Sequence, residues 1–483
     1  MLGAVALPGF LSAAGTPSRP NVIFLLTDNQ PPETIAALGN PYIETPNLDR
    51  LVRGGSTFTR AIATNPHCVP SRAEIITGTT GFTNRSNPFG GSLNPKLKLW
   101  GSAMREAGYL TVYSGKWHTA GTPWERGYEE TAALNSAGGA AGKPPTHPTM
   151  RNGRRATGFI NHTFKNNKNE PELEKGIGLT PRTDEYIADG AISIIRRQPD
   201  RPFFLHVNFS SNHDPLLPGP GFENKYDPAA IPLPPNFMPE PAFDYGNAGG
   251  RDELLMPLPY TVADVRQELA DIYAVISHMD AQVGRILAAL EETGQAENTI
   301  LIFTTDHGAG VGRHGIRGYQ NMYEHALNVP LIMVGPGIPR DRRFAAQAYL
   351  RDIYPTVCEL TGIPIPATVE AKSLAPVLRG LMDEIYPELY GYWQPSGRSG
   401  ESKEYVADVP LERMVRTERW KLIYYSYLKR YQLFDLKNDP YELRDLSADT
   451  AQQVTMDTLK RKMRDWFEPR IQALRQTGPH RKR

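Results

Sequence analysis

Hydrophobic positions along the chain fall into short apolar runs that end abruptly in polar residues, separated by stretches with helical spacing. Asn21-Val-Ile-Phe-Leu-Leu-Thr-Asp28 is apolar for five consecutive residues before it turns polar, and it runs into Asn29-Gln30. Such a run is the pattern of a strand covered on both faces. Asn298-Thr-Ile-Leu-Ile-Phe-Thr-Thr-Asp-His307 repeats the design far downstream. Between them, Tyr109 to Ser114 and Phe203 to Phe209 predict further strands, while Thr45 to Gly54 and Lys98 to Gly108 predict helices. Across Val262 to Thr293, Leu269, Ile272, Ile276, Met279, Val283 and Ile286 keep one face of a long helix apolar. The alternation is that of an α/β fold with a mostly parallel or mixed sheet. Ligands of open α/β sheets collect beyond the carboxyl ends of strands, so two strands ending in Asp predict one shared site.

Two stretches break the pattern. Residues 118 to 180 are rich in Gly, Asn and Thr, and residues 214 to 260 in Pro; both are predicted as irregular insertions that shape specificity. From about residue 375 the texture changes to short antiparallel strands, Glu388 to Trp393, Arg413 to Tyr425 and Tyr431 to Leu436, followed by a terminal helix from about Ala451 to Leu474. The expected organisation is therefore a tail over 1–19, a large α/β domain over 20–375 and a smaller α+β domain over 376–483.

Composition narrows the functional classes. Of 483 residues, 40% are apolar and 22% charged, and 53 Lys and Arg face 52 Asp and Glu, for a net charge of +1. That balance gives no reason to expect nucleic acid or a membrane surface as partner, and no stretch is long and apolar enough to span a bilayer. Residues 1–15 have the apolar run and small-residue end of a secretory signal without its basic start, which predicts an extracytoplasmic location, periplasmic or secreted. Two cysteines, Cys68 and Cys358, make no disulfide framework; Cys358 reads as a small core residue.

Cys68 stands in Asn65-Pro-His-Cys-Val-Pro-Ser-Arg-Ala-Glu-Ile-Ile-Thr-Gly78. Pro70 suits the first turn of a helix and Gly78 the residue past its end, so a short helix is predicted over Ser71 to Thr77, with residue 68 just before its N-terminus, where free N–H groups and the dipole favour an anion. The run Cys68-Val-Pro-Ser-Arg72 with Thr77-Gly78 resembles the signature of the formylglycine-dependent sulfatases of the alkaline phosphatase-like superfamily. Gly115-Lys-Trp-His118, Asn212-His-Asp-Pro215 and Leu433-Phe-Asp-Leu-Lys-Asn-Asp-Pro-Tyr-Glu-Leu443 extend the resemblance over almost the whole chain.

The resemblance implies an alkaline phosphatase-like fold, a large mixed sheet flanked by helices plus a smaller C-terminal α+β domain, and it implies sulfuric ester hydrolysis. A maturation enzyme would oxidise Cys68 to formylglycine, whose hydrate is the nucleophile. Asp28, Asn29, Asp306 and His307, together with residue 68, would hold a divalent metal, calcium by resemblance, with magnesium or manganese kept open by the imidazole of His307. Arg72 would hold the nucleophile, Lys116 would bind sulfate and the hydrate, His118 would deprotonate the hydrate, and His213 would contact sulfate and protonate the leaving oxygen. The expected substrate is a sulfated small molecule or glycan, a carbohydrate by preference. Trp124, Tyr128, Phe159, Phe222, Tyr226 and Tyr245 in the insertions are candidates to stack on sugar rings, and Arg151, Arg154, Arg155, Lys165 and Lys168 to meet an anionic glycan; a solvated loop is the blander reading.

Two positions depart from the family pattern. Asn29 stands where an Asp is usual, which leaves the metal side one charge short. Counting back four residues from Tyr323-Glu324 puts Tyr319 where the family carries a sulfate-binding lysine, so the substrate side lacks a cation unless Arg313 or Arg317 reaches in. These departures keep two rivals in play: a phosphonate or phosphate ester hydrolase of the same superfamily, and a non-catalytic binder of sulfated glycans.

Overall fold

The computed structural model describes residues 19–86, 92–393 and 412–477. Residues 1–18, read from sequence as a signal remnant, lie outside the described residues. Nine strands, β1 (Asn21–Thr27), β2 (Ser56–Ile62), β3 (Leu110–Lys116), β4 (Glu130–Ala137), β5 (His162–Lys165), β6 (Phe203–Asn208), β7 (Thr299–Thr305), β8 (Asn328–Val334) and β9 (Arg342–Tyr349), form one mixed sheet in the order β5-β4-β3-β6-β1-β7-β8-β2-β9. The first strand is central: β1 runs parallel to β6 on one side and to β7 on the other, with Leu25 opposite Val207 and Phe303. Since β3 is parallel to β6, four adjacent strands present their carboxyl ends at the same edge.

The unbroken apolar run of β1 has a direct cause. Ile23 and Leu25 pack with residues of the Thr183–Arg197 and Val262–Glu292 helices, whereas Val22, Phe24 and Leu26 pack with Trp100, Met104, Ile353 and Tyr354 on the opposite face. Both faces of the strand are therefore core.

One expectation is corrected here. The 118–180 stretch is not wholly irregular, because it supplies β4 and β5 at the sheet edge. The sequence of β4, Glu130-Thr-Ala-Ala-Leu-Asn-Ser-Ala137, is poor in β-branched and aromatic residues, so its strand character comes from pairing with β3 and β5 rather than from propensity. Four further strands, β10 (Glu388–Trp393), β11 (Glu412–Thr417), β12 (Trp420–Tyr425) and β13 (Arg430–Asp435), form a separate antiparallel sheet covered by the Gln453–Thr477 helix through Met456, Leu459, Met463 and Phe467. A buried ion cluster ties this sheet to the short helix Glu324–Leu327 before β8: Glu324 lies 3.0 Å from both Arg416 and Lys421, and Lys421 lies 2.8 Å from Glu442.

The long helix begins as its sequence predicts, with Thr261 accepting from the Asp264 N–H at 3.1 Å in a capping box. Asp280, buried in its middle, reaches the start of the Pro46–Gly54 helix and accepts from the backbone N–H of Leu48 (2.7 Å) and Asn47 (3.2 Å). Burial pushes this carboxyl up from 3.8 to about 6 against the pull of those hydrogen bonds. A carboxyl whose folded value is raised contributes stability that is present below pH 3.8 and is lost as pH rises through about 6. Asp280→Asn removes that titration, so across this window the urea midpoint of the native chain should fall relative to that of the variant. Parallel pH dependence of the two midpoints would refute the assignment.

Candidate active site

The ends of β1 and β7 bring two carboxylates together at the centre of the sheet edge. Asp28 is fixed by its backbone, its N–H donating to the Ser211 carbonyl at 2.7 Å and its carbonyl accepting from the Asn212 N–H at 2.6 Å, so the end of β1 and the loop after β6 hold each other. Asn29 adopts a left-handed backbone, φ 56°, which Asn tolerates better than most residues, and its N–H donates to Asp306 Oδ1 at 3.3 Å. Arg72 bridges the two acids, donating from Nε to Asp306 Oδ2 and from a terminal nitrogen to Asp28 Oδ2, each at 2.9 Å. Lys116 pairs with the same Asp28 oxygen. Two buried anions thus face two buried cations, and the floor of the site is close to neutral by itself. Burial alone would raise the Asp28 carboxyl, but Lys116, His213 and Arg72 overcome it and hold the group well below the usual carboxylate range.

Cys68 enters from the helix Cys68–Thr77. The helix starts three residues earlier than the sequence predicts: Cys68 is its first residue, and extended His67 (φ −157°, ψ 136°) precedes it. Pro70 is still within the first turn, where its missing N–H costs no helical bond, and Ser71 N–H donates to the His67 carbonyl at 3.0 Å. Cys68 is 2% exposed, with Sγ 4.0 Å from the Tyr319 hydroxyl. Burial, reinforced by Asp28, pushes its thiol far up, so the side chain is protonated at neutral pH.

The second pair of motifs flanks the floor. Gly115, at φ +100°, sits where a Cβ would run into the Asn208 carbonyl of β6, so only glycine lets β3 approach closely as Lys116 turns toward Asp28. Lys116 Nζ lies 4.2 Å from the ring centre of Phe159. His118, half-buried, faces the same ring at 5.4 Å, and burial followed by the charge of Lys116 holds its imidazole well below the ordinary value. His213 packs on Phe159 at 4.3 Å and donates from Nδ1 to the Asp214 carbonyl at 2.6 Å, which leaves Nε2 as its second working nitrogen. Burial lowers its pKa, with Asp214 opposing the shift.

A cation suits the centre of this arrangement. Asp28 Oδ1, Asn29 Oδ1 and His307 Nε2 are buried polar atoms with no hydrogen-bond partner among the described residues, and buried polar atoms are rarely left so. Ligand atoms of Asp28, Cys68, Asp306 and His307 lie within 4.8 Å of one another. The ring of His307 is oriented for ligation because Nδ1 donates to the Gly308 carbonyl at 2.9 Å, which turns the Nε2 lone pair inward.

Above the floor opens a cavity of about 710 Å³ whose lining includes Cys68, His118, His213 and Tyr319. The tyrosine ring packs on His307, their centres 4.0 Å apart and their planes tilted by 33°. Neither arginine considered from sequence lines this cavity: Arg313 pairs with Glu33 at 2.7 Å and Arg317 with Glu268 at 2.6 Å. The arginine that does line it is Arg251, held by Asp214 and, at 3.0 Å, by Asp252. Sequence reading missed it because Gly249-Gly250-Arg251-Asp252 announces a turn but not where the turn points. Of the aromatic candidates, Trp124 and Phe159 line the cavity; Tyr128 and Tyr245 are buried in the core and Tyr226 packs against Tyr273 of the long helix. Of the basic candidates, Lys165 lines it, while Arg151 pairs with Asp271 and Arg154 donates to the Leu254 carbonyl.

A parallel-centred mixed sheet with two acids, an imidazole and a helix-borne residue 68 at its carboxyl edge is the architecture of the alkaline phosphatase-like fold, which the solved structures below share. Comparison with known proteins narrows the class. The family model "Sulfatase" matches residues 20–363, and "N-sulphoglucosamine sulphohydrolase, C-terminal" matches residues 312–468. The chain belongs to the sulfatase family and is a sulfuric ester hydrolase. It is similar to an N-acetylglucosamine-6-O-sulfatase of Bacteroides thetaiotaomicron, with 25% identity over 89% of this chain and 82% of that one. Among solved structures, it resembles one in complex with its substrate D-glucosamine-2-N,6-O-disulfate (TM-score 0.75, 21% identity, 96% of this chain and 100% of the other). It also resembles the phosphonate monoester hydrolase of Agrobacterium radiobacter (TM-score 0.76, 21% identity, 92% and 95%).

Proposed function

We propose that Cys68 is converted to formylglycine by a maturation enzyme and that the matured chain desulfates a carbohydrate in an extracytoplasmic compartment. The observation that supports this reading is that Cys68, His118 and His213 line one cavity, with Lys116 and the candidate metal ligands Asp28, Asn29, Asp306 and His307 gathered beneath it. The oxygen donors favour calcium, with magnesium as the harder alternative, and the imidazole of His307 keeps the softer manganese open. A bound divalent cation would act as a Lewis acid on the ester oxygens, and it would turn a nearly neutral floor positive, as an anionic ester requires. The hydrated aldehyde would supply the oxygen nucleophile.

The chain's own residues supply the rest. Arg72 and Lys116 hold Asp28 ionised and fix its orientation. The neutral imidazole of His118 takes a proton from the nucleophile side, while Nε2 of His213 donates one to the leaving oxygen. The negative charge of the ester opposes the lowering that burial imposes on His213 and so favours the protonated imidazole that this donation needs. A sugar in the cavity would rest against Trp124 and Phe159, which fits the carbohydrate sulfate acted on by the Bacteroides relative. No helix among the described residues is long and apolar enough to cross a membrane, and the apolar N-terminal run supports export.

The test is sulfate release by protein coexpressed with the maturation enzyme, measured on aryl sulfate, sulfated oligosaccharides and aryl phosphonate. A clear preference for the phosphonate would favour the phosphonate hydrolase reading, which the Agrobacterium fold neighbour keeps in view. The leaving-group role of His213 has its own signature. His213→Ala should slow sugar sulfates by about 10²–10⁴-fold and nitrophenyl sulfate far less, because nitrophenolate needs no proton to depart. Equal losses on both substrates would remove His213 from that role.

A further inference from the structure

Resting on the carbohydrate sulfatase reading, we propose that the cavity holds a second anion subsite, built around Lys165, which binds a carboxylate or a second sulfate elsewhere on the same substrate. Lys165 ends β5, where it is the cross-strand partner of Leu134 on β4, and both side chains line the cavity. In the sheet, Lys116 of β3 is level with Asn135 of β4, which is itself opposite Phe164 of β5. The backbone at Lys165 is therefore two strand spacings, about 10 Å, from that of Lys116. Lys165 therefore stands on the cavity wall apart from Lys116, which is buried beneath the floor against Asp28.

Charge at the outer wall is unbalanced in one direction. Asp252 is the one carboxylate among the described lining residues, and it pairs with Arg251 at 3.0 Å. Lys165 makes no ion pair among the described residues; Nζ donates to the Ala137 carbonyl at 2.9 Å, and burial lowers its pKa with no carboxylate opposing the shift. An ammonium has three donors and one is used here, so two remain for a ligand. Asn161 and Asn169 line the same wall and offer amide donors, and Trp124 provides an aromatic surface. A half-buried, unpaired cation among amides matches a negatively charged group and suits a neutral hydroxyl poorly.

The test is calorimetric binding to the unmatured chain, which keeps Cys68 as a thiol and turns nothing over. Three probes are used: an oligosaccharide with one sulfate, one with a sulfate and a uronic carboxylate on adjacent residues, and one with two sulfates. Lys165→Ala should weaken binding of one or both dianionic probes by roughly tenfold, about 1.4 kcal/mol, while the monosulfated probe stays within about twofold. Lys165→Arg should retain the preference. The probe that loses more identifies the second group as carboxylate or sulfate. Equal weakening of all three probes, or of none, would overturn the subsite. Sulfate release by the matured enzyme is read separately: its failure beside preserved discrimination by Lys165 would count against the hydrolase reading and leave the subsite standing.

Discussion

Cys68→Ala should abolish sulfate release, by about 10⁴-fold or more, the scale on which loss of a nucleophile acts in hydrolases generally, while leaving the fold intact. The second half of the expectation follows from how little Sγ holds. Its one hydrogen-bond contact among the described residues, with the Tyr319 hydroxyl, is 4.0 Å long, and the helix around it is fixed by Arg72 and by Ser71, whose hydroxyl donates to the Asp306 carbonyl at 2.6 Å. Alanine keeps the backbone and removes a single atom. The assay is sulfate release beside thermal unfolding and the peptide mass at position 68. Native protein coexpressed with the maturation enzyme should carry the lighter, oxidised form. Retention of activity by the variant, or full activity from protein whose residue 68 is entirely thiol, would sink the proposed nucleophile.

Asp28→Ala should do the reverse and damage the fold as well as the chemistry. The carboxylate is fully buried and neutralises Lys116 and Arg72 together. Among the described residues, its removal leaves Lys116 with no anion and Arg72 with only Asp306, and breaking a buried pair by removing one partner costs about 3–5 kcal/mol. The urea midpoint should fall accordingly. Calcium should raise the melting temperature of the native chain and a chelator should lower it, because a ligand that binds only the folded state stabilises it by mass action. The variant should respond to neither. An unchanged midpoint together with a preserved calcium response would show that Asp28 neither balances the two cations nor holds the metal.

The strands that carry the chemistry were legible because their environment is uniform. β1, β6 and β7 are buried on both faces, so their sequences are apolar runs whose polar ends mark the sheet edge. Buried β8 escaped although its run is apolar, and two other elements that escaped depend on neighbours distant in sequence. β2, Ser-Thr-Phe-Thr-Arg-Ala-Ile, carries a register shift between Phe58 and Ala61 and is held between β8 and β9; its local pattern does not announce a strand. β4 is too rich in alanine to be read without β3 and β5 beside it. In the site, motif spacing pointed to residues that lie at strand and helix ends, where the scaffold dictates position. Arg251 sits in a loop whose path is set by its ion pairs with Asp214 and Asp252, and no periodicity encodes that path. Arg317 illustrates the converse: proximity in sequence to Tyr319 suggested a cavity cation, but Glu268 on the long helix captures the guanidinium.

The central position of β1 also sets an order of events during synthesis. Asp28 lies at the end of the first strand to be made and Asp306 at the end of the seventh, and the two meet only when β7 docks between β1 and β8. Until then β1 has an unpaired edge, and a chain halted before residue 306 is an open sheet prone to pairing with other chains. The capacity to hold a divalent cation therefore arises late and in one step, so a cation can act as a final clamp on the assembled sheet and not as a template for its early strands.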